Sequence, residues 1–144
     1  MITVITYGTF DLFHIGHLNL LRRLKSLGDR LLVGVSTDEF NAVKQKKTTI
    51  AFNERLEIVS AIRYVDGVFA EENWDQKVSD IQKYQANIFG MGDDWKGKFD
   101  YLNIYAQVCY LPRTEKISST AIKESFIKPL VQSQASSSFY KNAP

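Results

Sequence analysis

The sequence predicts an α/β domain in which helices cover both faces of a doubly wound, parallel sheet of five strands. Two observations carry this prediction. Short runs with strand patterns alternate with longer runs of helical periodicity, which is typical of parallel strands joined by crossover helices. The strand runs also contain few polar residues, as in Leu31–Ser36 (LLVGVS), and this composition favours strands that are buried on both sides.

Each element follows from a local pattern. The first strand covers residues 2–7, where β-branched residues dominate, and Gly8 ends it. A helix from His17 to Leu27 follows, because leucines recur there at three-residue steps and Gly28 is a stop signal. Further strands are predicted at Leu31–Ser36, Val65–Ala70, Ile88–Met91 and Val108–Leu111. Further helices are predicted at Asn53–Ile62 with Asn53 as N-cap, from Asp75 to about Tyr84, and at Ser118–Phe126. This order of elements predicts a Rossmann-like fold.

Length and composition indicate one ordinary globular domain. Of the 144 residues, 44% are hydrophobic and 24% are charged, and the net charge of +2 is too small to predict a nucleic-acid or membrane partner. We expect the domain to span residues 1–128, and residues 129–144 to form a flexible tail. The single cysteine, Cys109, and the lack of an export signal or a membrane-length apolar run predict a cytoplasmic protein.

Both histidines lie in the segment that joins the first strand to the first helix. Residues 8–17 read GTFDLFHIGH, so His14 and His17 stand at a helix start, where free N–H groups and the helix dipole favour an anion. Gly16 lets a phosphate approach the backbone, and each imidazole can donate to a phosphate oxygen. Packing is the ordinary explanation for a single histidine, and a metal site is the functional alternative, but no Cys or third His lies nearby. We therefore predict a phosphate-binding site.

A basic run, Lys44-Gln45-Lys46-Lys47, follows the second predicted strand in a loop. Such runs usually form a solvated surface. This run, however, leaves the carboxyl end of a strand at the same edge as the histidines, and the flexible ammonium of lysine can follow a phosphate through a reaction. A solvated surface and a phosphate contact therefore both stay open.

An acidic turn, Gly90-Met91-Gly92-Asp93-Asp94-Trp95, follows another predicted strand. Its glycines permit close approach of a ligand to the backbone, and acidic groups beside an aromatic ring can bind and stack on a base. A tight turn around a buried Trp explains the same residues, and the paired aspartates also fit a divalent metal. These interpretations stay open.

The segment Leu111–Thr120 (LPRTEKISST) runs from the last strand into a predicted helix. Arg113 can bind a phosphate through two N–H groups, and Ser118, Ser119 and Thr120 supply hydroxyls at the helix start. An N-cap needs one hydroxyl, so the cluster favours phosphate binding. Because the carboxyl ends of parallel strands meet at one edge of a sheet, all four segments are predicted to converge there.

These residues resemble the signatures of the cytidylyltransferase branch of the nucleotidylyltransferase superfamily. Gly8–Asp11 with His14–His17 is similar to the HxGH signature, which adenylyltransferases and class I aminoacyl-tRNA synthetases also carry. Arg113–Thr120 (RTEKISST) resembles the cytidylyltransferase signature Arg-Thr-Glu-Gly-Ile-Ser-Thr-Thr. Within the branch, Ser36–Asn41, Arg63–Asp66 and Met91–Asp100 resemble bacterial glycerol-3-phosphate cytidylyltransferases, and the likeness covers about residues 1–127.

The resemblance implies a nucleotidylyltransferase domain in which CTP and sn-glycerol 3-phosphate give CDP-glycerol and pyrophosphate. It also implies Mg²⁺ bound with the nucleotide phosphates and a homodimer, with Asp66 near the dimer interface. Catalytic roles are implied for His14, His17, Lys44 and Arg113, and acceptor binding for Lys44, Lys77, Arg55 and Arg63. The implied nucleotide-binding residues are Gly8, Thr9, Phe10, His14, Gly16, His17, Lys46, Gly92, Asp94, Trp95, Arg113, Thr114, Ile117, Ser118, Ser119 and Thr120.

Two residues depart from the family signature. Lys116 stands where the family has Gly, and Ser119 stands where it has Thr but keeps the hydroxyl. Three alternatives remain at this point: a different phosphorylated alcohol as acceptor (phosphocholine, phosphoethanolamine or a polyol phosphate), ATP in place of CTP, and a nucleotide-binding domain without catalysis.

Overall fold

A parallel sheet organises the part of the chain that the structure describes. The computed structural model describes residues 1–113, 119, 120 and 122. Within them, five strands pair in the order β3-β2-β1-β4-β5, and every pairing is parallel. The strands are β1 (Thr3–Gly8), β2 (Arg30–Ser36), β3 (Gly67–Glu71), β4 (Ile88–Gly92) and β5 (Gln107–Leu111). The helices are α1 (Ile15–Lys25), α2 (Asp38–Val43), α3 (Phe52–Ser60) and α4 (Gln76–Lys83), with short 3₁₀ helices at Asp93–Trp95 and Asp100–Ile104. The predicted fold class is confirmed.

Successive residues of β1 point into two different cores, one on each face of the sheet. Val4 is fully buried in a cluster that contains Leu24 of α1 and Val59 of α3. Ile5 is fully buried in a second cluster that contains Ile81 of α4. Helices α1 and α3 therefore cover one face and α4 covers the other. This double burial explains the nearly continuous apolar composition of the strands.

The position of β1 in the sheet creates the crevice in which the site lies. β1 pairs with β2 on one side and with β4 on the other, so the direction of the winding reverses beside it. Ligands in sheets of this kind bind at the reversal, beyond the carboxyl ends of the strands. Gly8 ends β1 opposite Val35 of β2, and the loop that follows enters this crevice.

The structure adds a helix, α2, that the sequence analysis missed. Thr37 is its N-cap, and Oγ1 of Thr37 accepts the N–H of Phe40 at 3.1 Å. Lys44 is the C-cap, so the basic run of residues 44–47 starts where this helix ends. The signal was present in the sequence, since a Thr followed by two acidic residues is a common helix start.

The predicted N-cap of α3 was wrong. Asn53 lies inside the helix, and Ala51 is the N-cap without a side-chain hydrogen bond of its own. The carboxylate of Asp38 instead accepts the N–H of Phe52 at 3.0 Å, so a distant side chain caps the helix. The predicted helix Ser118–Phe126 is described at Ser119, Thr120 and Ile122, which are helical. Its other residues and the predicted tail 129–144 lie outside the described residues.

The described helices include none that is long and apolar enough to cross a membrane.

The guanidinium of Arg55 connects the loops at the carboxyl edge of the sheet. Its side chain is fully buried. It donates to the carbonyl oxygens of Thr9, Ser36 and Ile50 at 2.8 Å each, and Oδ1 of Asp38 accepts another N–H at 2.8 Å. Arg55 therefore fixes the ends of β1 and β2 relative to the loop that precedes α3.

Replacing Arg55 with Lys is expected to lower the free energy of unfolding by about 3 kcal/mol, because one ammonium cannot serve four acceptors and a buried acceptor left unpaired costs about 1–3 kcal/mol. Urea unfolding at pH 7 measures the change. Arg63→Lys is the matched control, since Arg63 is exposed and its guanidinium stacks on the Tyr64 ring. We expect that control to stay within about 0.5 kcal/mol of the wild type. Equal losses in the two variants would contradict the role given to Arg55.

Candidate active site

Two adjoining cavities open at the carboxyl end of β1. Their volumes are about 470 Å³ and about 230 Å³. They share the residues around the end of β1, together with His17 and the acidic turn that contains Trp95. The larger cavity continues past the basic run toward β3 and α4, and the smaller one continues toward Arg113. A ligand in one cavity and a ligand in the other would meet in this shared region.

Most of the predicted site residues that the structure describes line one or both cavities. The larger cavity is lined by Gly8, Thr9, Phe10, His17, Lys44, Lys46, Lys77, Asp94, Trp95, Ser119 and Thr120. The smaller cavity adds His14, Gly16, Gly92 and Arg113. All four chain segments that the sequence analysis singled out are represented here, so their predicted convergence is confirmed for the described residues.

Other predicted residues lie elsewhere. Arg55 lines neither cavity, because its guanidinium is turned to backbone carbonyls. Arg63 follows α3 at the opposite edge of the sheet, where its guanidinium lies 5.2 Å from the Tyr64 ring centroid. Asp66, expected near a dimer interface, pairs with Lys25 and accepts the N–H of Leu31 at 2.8 Å. Thr114, Ile117, Ser118 and the unusual Lys116 lie outside the described residues.

The two imidazoles form a reciprocal cap at the start of α1. His14 is the N-cap, and its Nδ1 accepts the N–H of Gly16 at 3.0 Å. Nδ1 of His17 accepts the N–H of His14 at 3.2 Å. The rings stack with their centroids 3.8 Å apart and their planes inclined by 23°. Because each Nδ1 is an acceptor, the proton of each neutral ring lies on Nε2, which remains a hydrogen-bond donor.

Both histidines are neutral at pH 7. Burial lowers the pKa of His17 to about 3, with a further contribution from the adjacent His14. Burial also lowers the pKa of His14, and the positive charge of Arg113 acts in the same direction. A charged ring would lose the Nδ1 acceptor and repel its stacked neighbour. The pair therefore offers two neutral Nε2–H donors beside the free N–H groups of a helix start.

The loop between β1 and α1 is held in a conformation that ordinary residues seldom adopt. Phe10 and Leu12 have φ values of 56° and 49°, in the left-handed region. The buried carboxylate of Asp11 accepts the N–H groups of Thr49 and Ile50 at 2.8 and 2.9 Å, and the hydroxyl of Ser119 donates to the Asp11 carbonyl. These contacts from distant segments support the strained loop, which is a common property of ligand-binding turns.

Gly8 is required for the packing of this loop. A Cβ at Gly8 would lie 2.8 Å from the ring of Phe10, which is closer than real contacts allow. Phe10 can therefore fold back over the end of β1, where it is buried beside His17 with the two ring centroids 5.4 Å apart.

A buried ionic network lines the far part of the larger cavity. Nζ of Lys77 donates to Oε2 of Glu71 at 2.7 Å, and both side chains are at least 95% buried. The hydroxyl of Ser36 donates to Oε1 of Glu71 at 2.6 Å and accepts Nζ of Lys44 at 3.1 Å. One carboxylate therefore orients two lysines that were predicted to bind the acceptor. Burial is the main cause that lowers the pKa of Lys44, to about 8.

A second charged pair lies at the rim of the smaller cavity. Arg113 and Asp94 form an ion pair of 3.3 Å, with both side chains about half exposed. Lys46 approaches the same turn from the basic run, and its Nζ lies 5.8 Å from the Trp95 ring centroid. Because solvated pairs are weak, a phosphate could displace Asp94 from Arg113.

The larger cavity is also lined by Glu71, Trp74, Tyr7 and Phe99, none of which was predicted to be a site residue. A signal for two of them was available. Glu71 ends β3 and Trp74 follows three residues later. Ligands bind beyond the carboxyl ends of parallel strands, and this criterion, which selected the other segments, applies to these two residues as well. Tyr7 belongs to the apolar run of β1, where the sequence pattern indicates core packing, and Phe99 stands between Lys98 and Asp100, where no strand end marks it for the site.

Comparisons with known proteins agree with this geometry. A model of the cytidylyltransferase-like family matches residues 5–125. The glycerol-3-phosphate cytidylyltransferase of Bacillus spizizenii is 59% identical over 121 residues, which cover 84% of this chain and 94% of that protein. The protein of the same name from Staphylococcus aureus is 50% identical over 121 residues, 84% of this chain and 92% of that protein. A lipopolysaccharide core biosynthesis protein from Thermoplasma volcanium has a similar structure, with a TM-score of 0.70 at 26% identity, covering 80% of this chain and 99% of that one.

The depressed pKa of His17 predicts a specific loss of stability in mild acid. In the unfolded state His17 has its ordinary pKa of 6.5 and binds a proton below that pH. In the native state it binds that proton only near pH 3. The contribution of His17 is therefore complete above pH 6.5 and declines as the pH falls toward 3. Between pH 7.5 and 5 we expect His17→Asn to lose about 2 kcal/mol less unfolding free energy than the wild type. Urea unfolding at the two pH values measures the difference, and parallel losses would show that His17 titrates normally.

Proposed function

The chain belongs to the cytidylyltransferase-like family, and from this premise we propose that it transfers the cytidylyl group of CTP to sn-glycerol 3-phosphate, giving CDP-glycerol and pyrophosphate. One structural observation carries the assignment of the site: a neutral imidazole pair lies where a cationic cavity meets a second cavity that contains Arg113. The relatives named glycerol-3-phosphate cytidylyltransferase support this choice of acceptor.

The reaction needs no proton abstraction by the protein. An oxygen of the acceptor phosphate attacks the α-phosphorus of CTP, and a new P–O bond forms there. The bond from the α-phosphorus to the oxygen that bridges to the β-phosphorus breaks, and pyrophosphate leaves with its electron pair. Since the nucleophile is already an anion, catalysis depends on bringing two polyanions together, aligning them and stabilising the charge that develops at the α-phosphate.

The imidazole pair provides donors for that charge. His17 lines both cavities and His14 lines the smaller one, which supports our assignment of the α-phosphate to the start of α1. The Nε2–H groups, held by the backbone through Nδ1, donate to its oxygens without having to reorient. Fixed donors of this kind stabilise a transition state more effectively than water does, because they need no reorganisation.

Lysines and Arg113 reduce the repulsion between the two substrates. Lys44 and Lys77 face the acceptor in the larger cavity, whereas Arg113 meets the nucleotide phosphates from the smaller one. Lys44 is largely protonated at pH 7, since its pKa is lowered to about 8 and not further. Its charge is available at neutral pH and declines as the pH rises through 8.

We propose that Mg²⁺ enters with the nucleotide. Among the described residues, no cluster of three or more His, Cys, Asp or Glu side chains is arranged to hold a metal. The donor set therefore fits an ion held mainly by the CTP phosphates, with Asp94 as the described carboxylate that lines both cavities. Bound there, Mg²⁺ would neutralise part of the phosphate charge.

We further propose a homodimer and a cytoplasmic location. The resemblance to homodimeric family members supports the first, and light scattering of the purified protein tests it. The free thiol of Cys109 is compatible with a reducing compartment. Fractionation of the source cells tests the location.

Pyrophosphate release tests the proposed function directly. CTP and ATP are each combined with glycerol 3-phosphate, phosphocholine, phosphoethanolamine and a polyol phosphate. We expect rapid release with CTP and glycerol 3-phosphate, and little with the other pairs. A preference for phosphocholine or phosphoethanolamine would overturn the acceptor, a preference for ATP would overturn the nucleotide, and no release in any pair would favour a domain without catalysis.

Replacing His14 or His17 with Ala is expected to lower kcat about a hundredfold or more, because each change removes a donor aimed at the transition state. Steady-state kinetics with CTP and glycerol 3-phosphate measure the loss, and circular dichroism verifies the fold. Ser26→Ala, at the exposed far end of α1, serves as the control and should retain wild-type turnover. Near-native kcat in both histidine variants would remove the pair from the mechanism.

A further inference from the structure

The ammonium of Lys77 is enclosed by three aromatic rings. Its Nζ lies 4.7 Å from the ring centroid of Tyr7, 5.2 Å from that of Trp74 and 5.3 Å from that of Phe99. Each distance is within the range in which a cation is attracted to an aromatic face. Several rings around one cation form the arrangement by which proteins recognise methylated ammonium groups. Here the cation belongs to the protein itself.

Glu71 completes this cage as its counter-charge. Its carboxylate accepts a hydrogen bond from Nζ of Lys77 at 2.7 Å and another from the hydroxyl of Ser36 at 2.6 Å. The Lys77 side chain is 1% exposed and that of Glu71 is 5% exposed. An ammonium so thoroughly buried stays in place because the carboxylate and the rings replace its lost hydration. Without Lys77, the same three rings and carboxylate would make a complete site for a small organic cation.

The cage lies where the alcohol part of the acceptor is expected. The proposed function assigns the reacting phosphates to the region that the two cavities share. Lys77, Glu71, Trp74 and Phe99 line the larger cavity alone, and Tyr7, the third ring of the cage, lines both. An acceptor whose phosphate reaches the His17 region therefore extends its other end toward the cage. A glycerol hydroxyl arriving there can accept from Lys77 or donate to Glu71, but a cationic head group meets a like charge.

We propose that Lys77 is a specificity-determining residue whose ammonium fills an aromatic cation cage. It thereby rejects phosphorylated alcohols that have a cationic head group and favours phosphorylated polyols, whose alcohol part is uncharged. The inference rests on the proposed function in one respect, that the acceptor is a phosphorylated alcohol. The ammonium of Lys77 occupies the cage, and this occupancy is what would distinguish glycerol 3-phosphate from phosphocholine and phosphoethanolamine.

Lys77→Met tests the proposal by removing the ammonium from the cage while leaving Glu71 and the three rings. Calorimetric titration with tetramethylammonium chloride, against sodium chloride at the same ionic strength, measures cation binding without any reaction. We expect the variant to bind tetramethylammonium at least about tenfold more tightly than the wild type, as ring contacts and one carboxylate allow. In the pyrophosphate assay, the ratio of kcat/KM for phosphocholine to that for glycerol 3-phosphate should rise by about tenfold or more.

Two further variants separate the cage from a general loss of charge. Lys83→Met removes a lysine from the same helix, where Nζ lies 5.1 Å from the single ring of Tyr84, and should change neither cation binding nor the acceptor ratio. Adding Glu71→Gln to Lys77→Met removes the counter-charge, and should abolish the gained binding. If Lys77→Met does not fold, Lys77→Gln, which is uncharged but can still hydrogen-bond to Glu71, carries the same expectations.

The outcomes distinguish this proposal from the proposed function. Wild-type protein that makes CDP-glycerol, together with a folded Lys77 variant that gains neither cation binding nor relative activity with phosphocholine, overturns the cage and leaves the function standing. Tetramethylammonium binding to the wild type as tight as to the variant also overturns the cage. Wild-type protein that makes no CDP-glycerol refutes the function, and the binding measurement still decides whether Lys77 blocks a cation site.

Discussion

The backbone hydrogen bonds accepted by the two Nδ1 atoms at the start of α1 set the chemistry of this molecule. They fix both rings, assign their protons to Nε2 and favour the neutral state that burial also imposes. This arrangement requires α1 to begin immediately after the β1 loop, which Gly8, the strained Phe10 and the anchored Asp11 make possible. The donors are therefore a product of the fold, and rotation of either side chain would break a helix cap.

Around that fixed centre the charges are divided between two cavities. The proposed nucleotide side carries Arg113 in a solvated pair with Asp94, which a phosphate can replace at small cost. The proposed acceptor side carries Lys77, which is buried, paired with Glu71 and surrounded by rings, together with the half-buried Lys44. A loosely held arginine suits a ligand that must arrive and depart as pyrophosphate, whereas a rigid, half-neutralised cluster suits discrimination between small acceptors.

The fold and many of the described residues that line the two cavities could be predicted from the sequence, because both depend on local signals. Apolar strands, leucine periodicity and the carboxyl-edge rule were sufficient to place His17, Lys44 and Arg113 at one edge of the sheet. The errors arose where contacts between residues far apart in the sequence determine a helix cap or the surroundings of a side chain. Asp38 caps α3 from another helix, so a search of the residues near Asn53 does not find this cap. Lys77 is enclosed by Tyr7 and Phe99, which are both more than twenty positions from it in the sequence. Arg55 was expected at the acceptor, but its backbone carbonyl partners come from three separate segments that only the folded sheet brings together.

Nitrogen NMR of the imidazoles measures the central claim most directly, since the chain has two histidines and the spectrum contains few signals. At pH 7 we expect both rings to be neutral and protonated on Nε2, and we expect CTP to shift the Nε2 signals more than the Nδ1 signals. A protonated ring, an Nδ1–H tautomer in either histidine, or Nε2 signals unmoved by saturating CTP would contradict it.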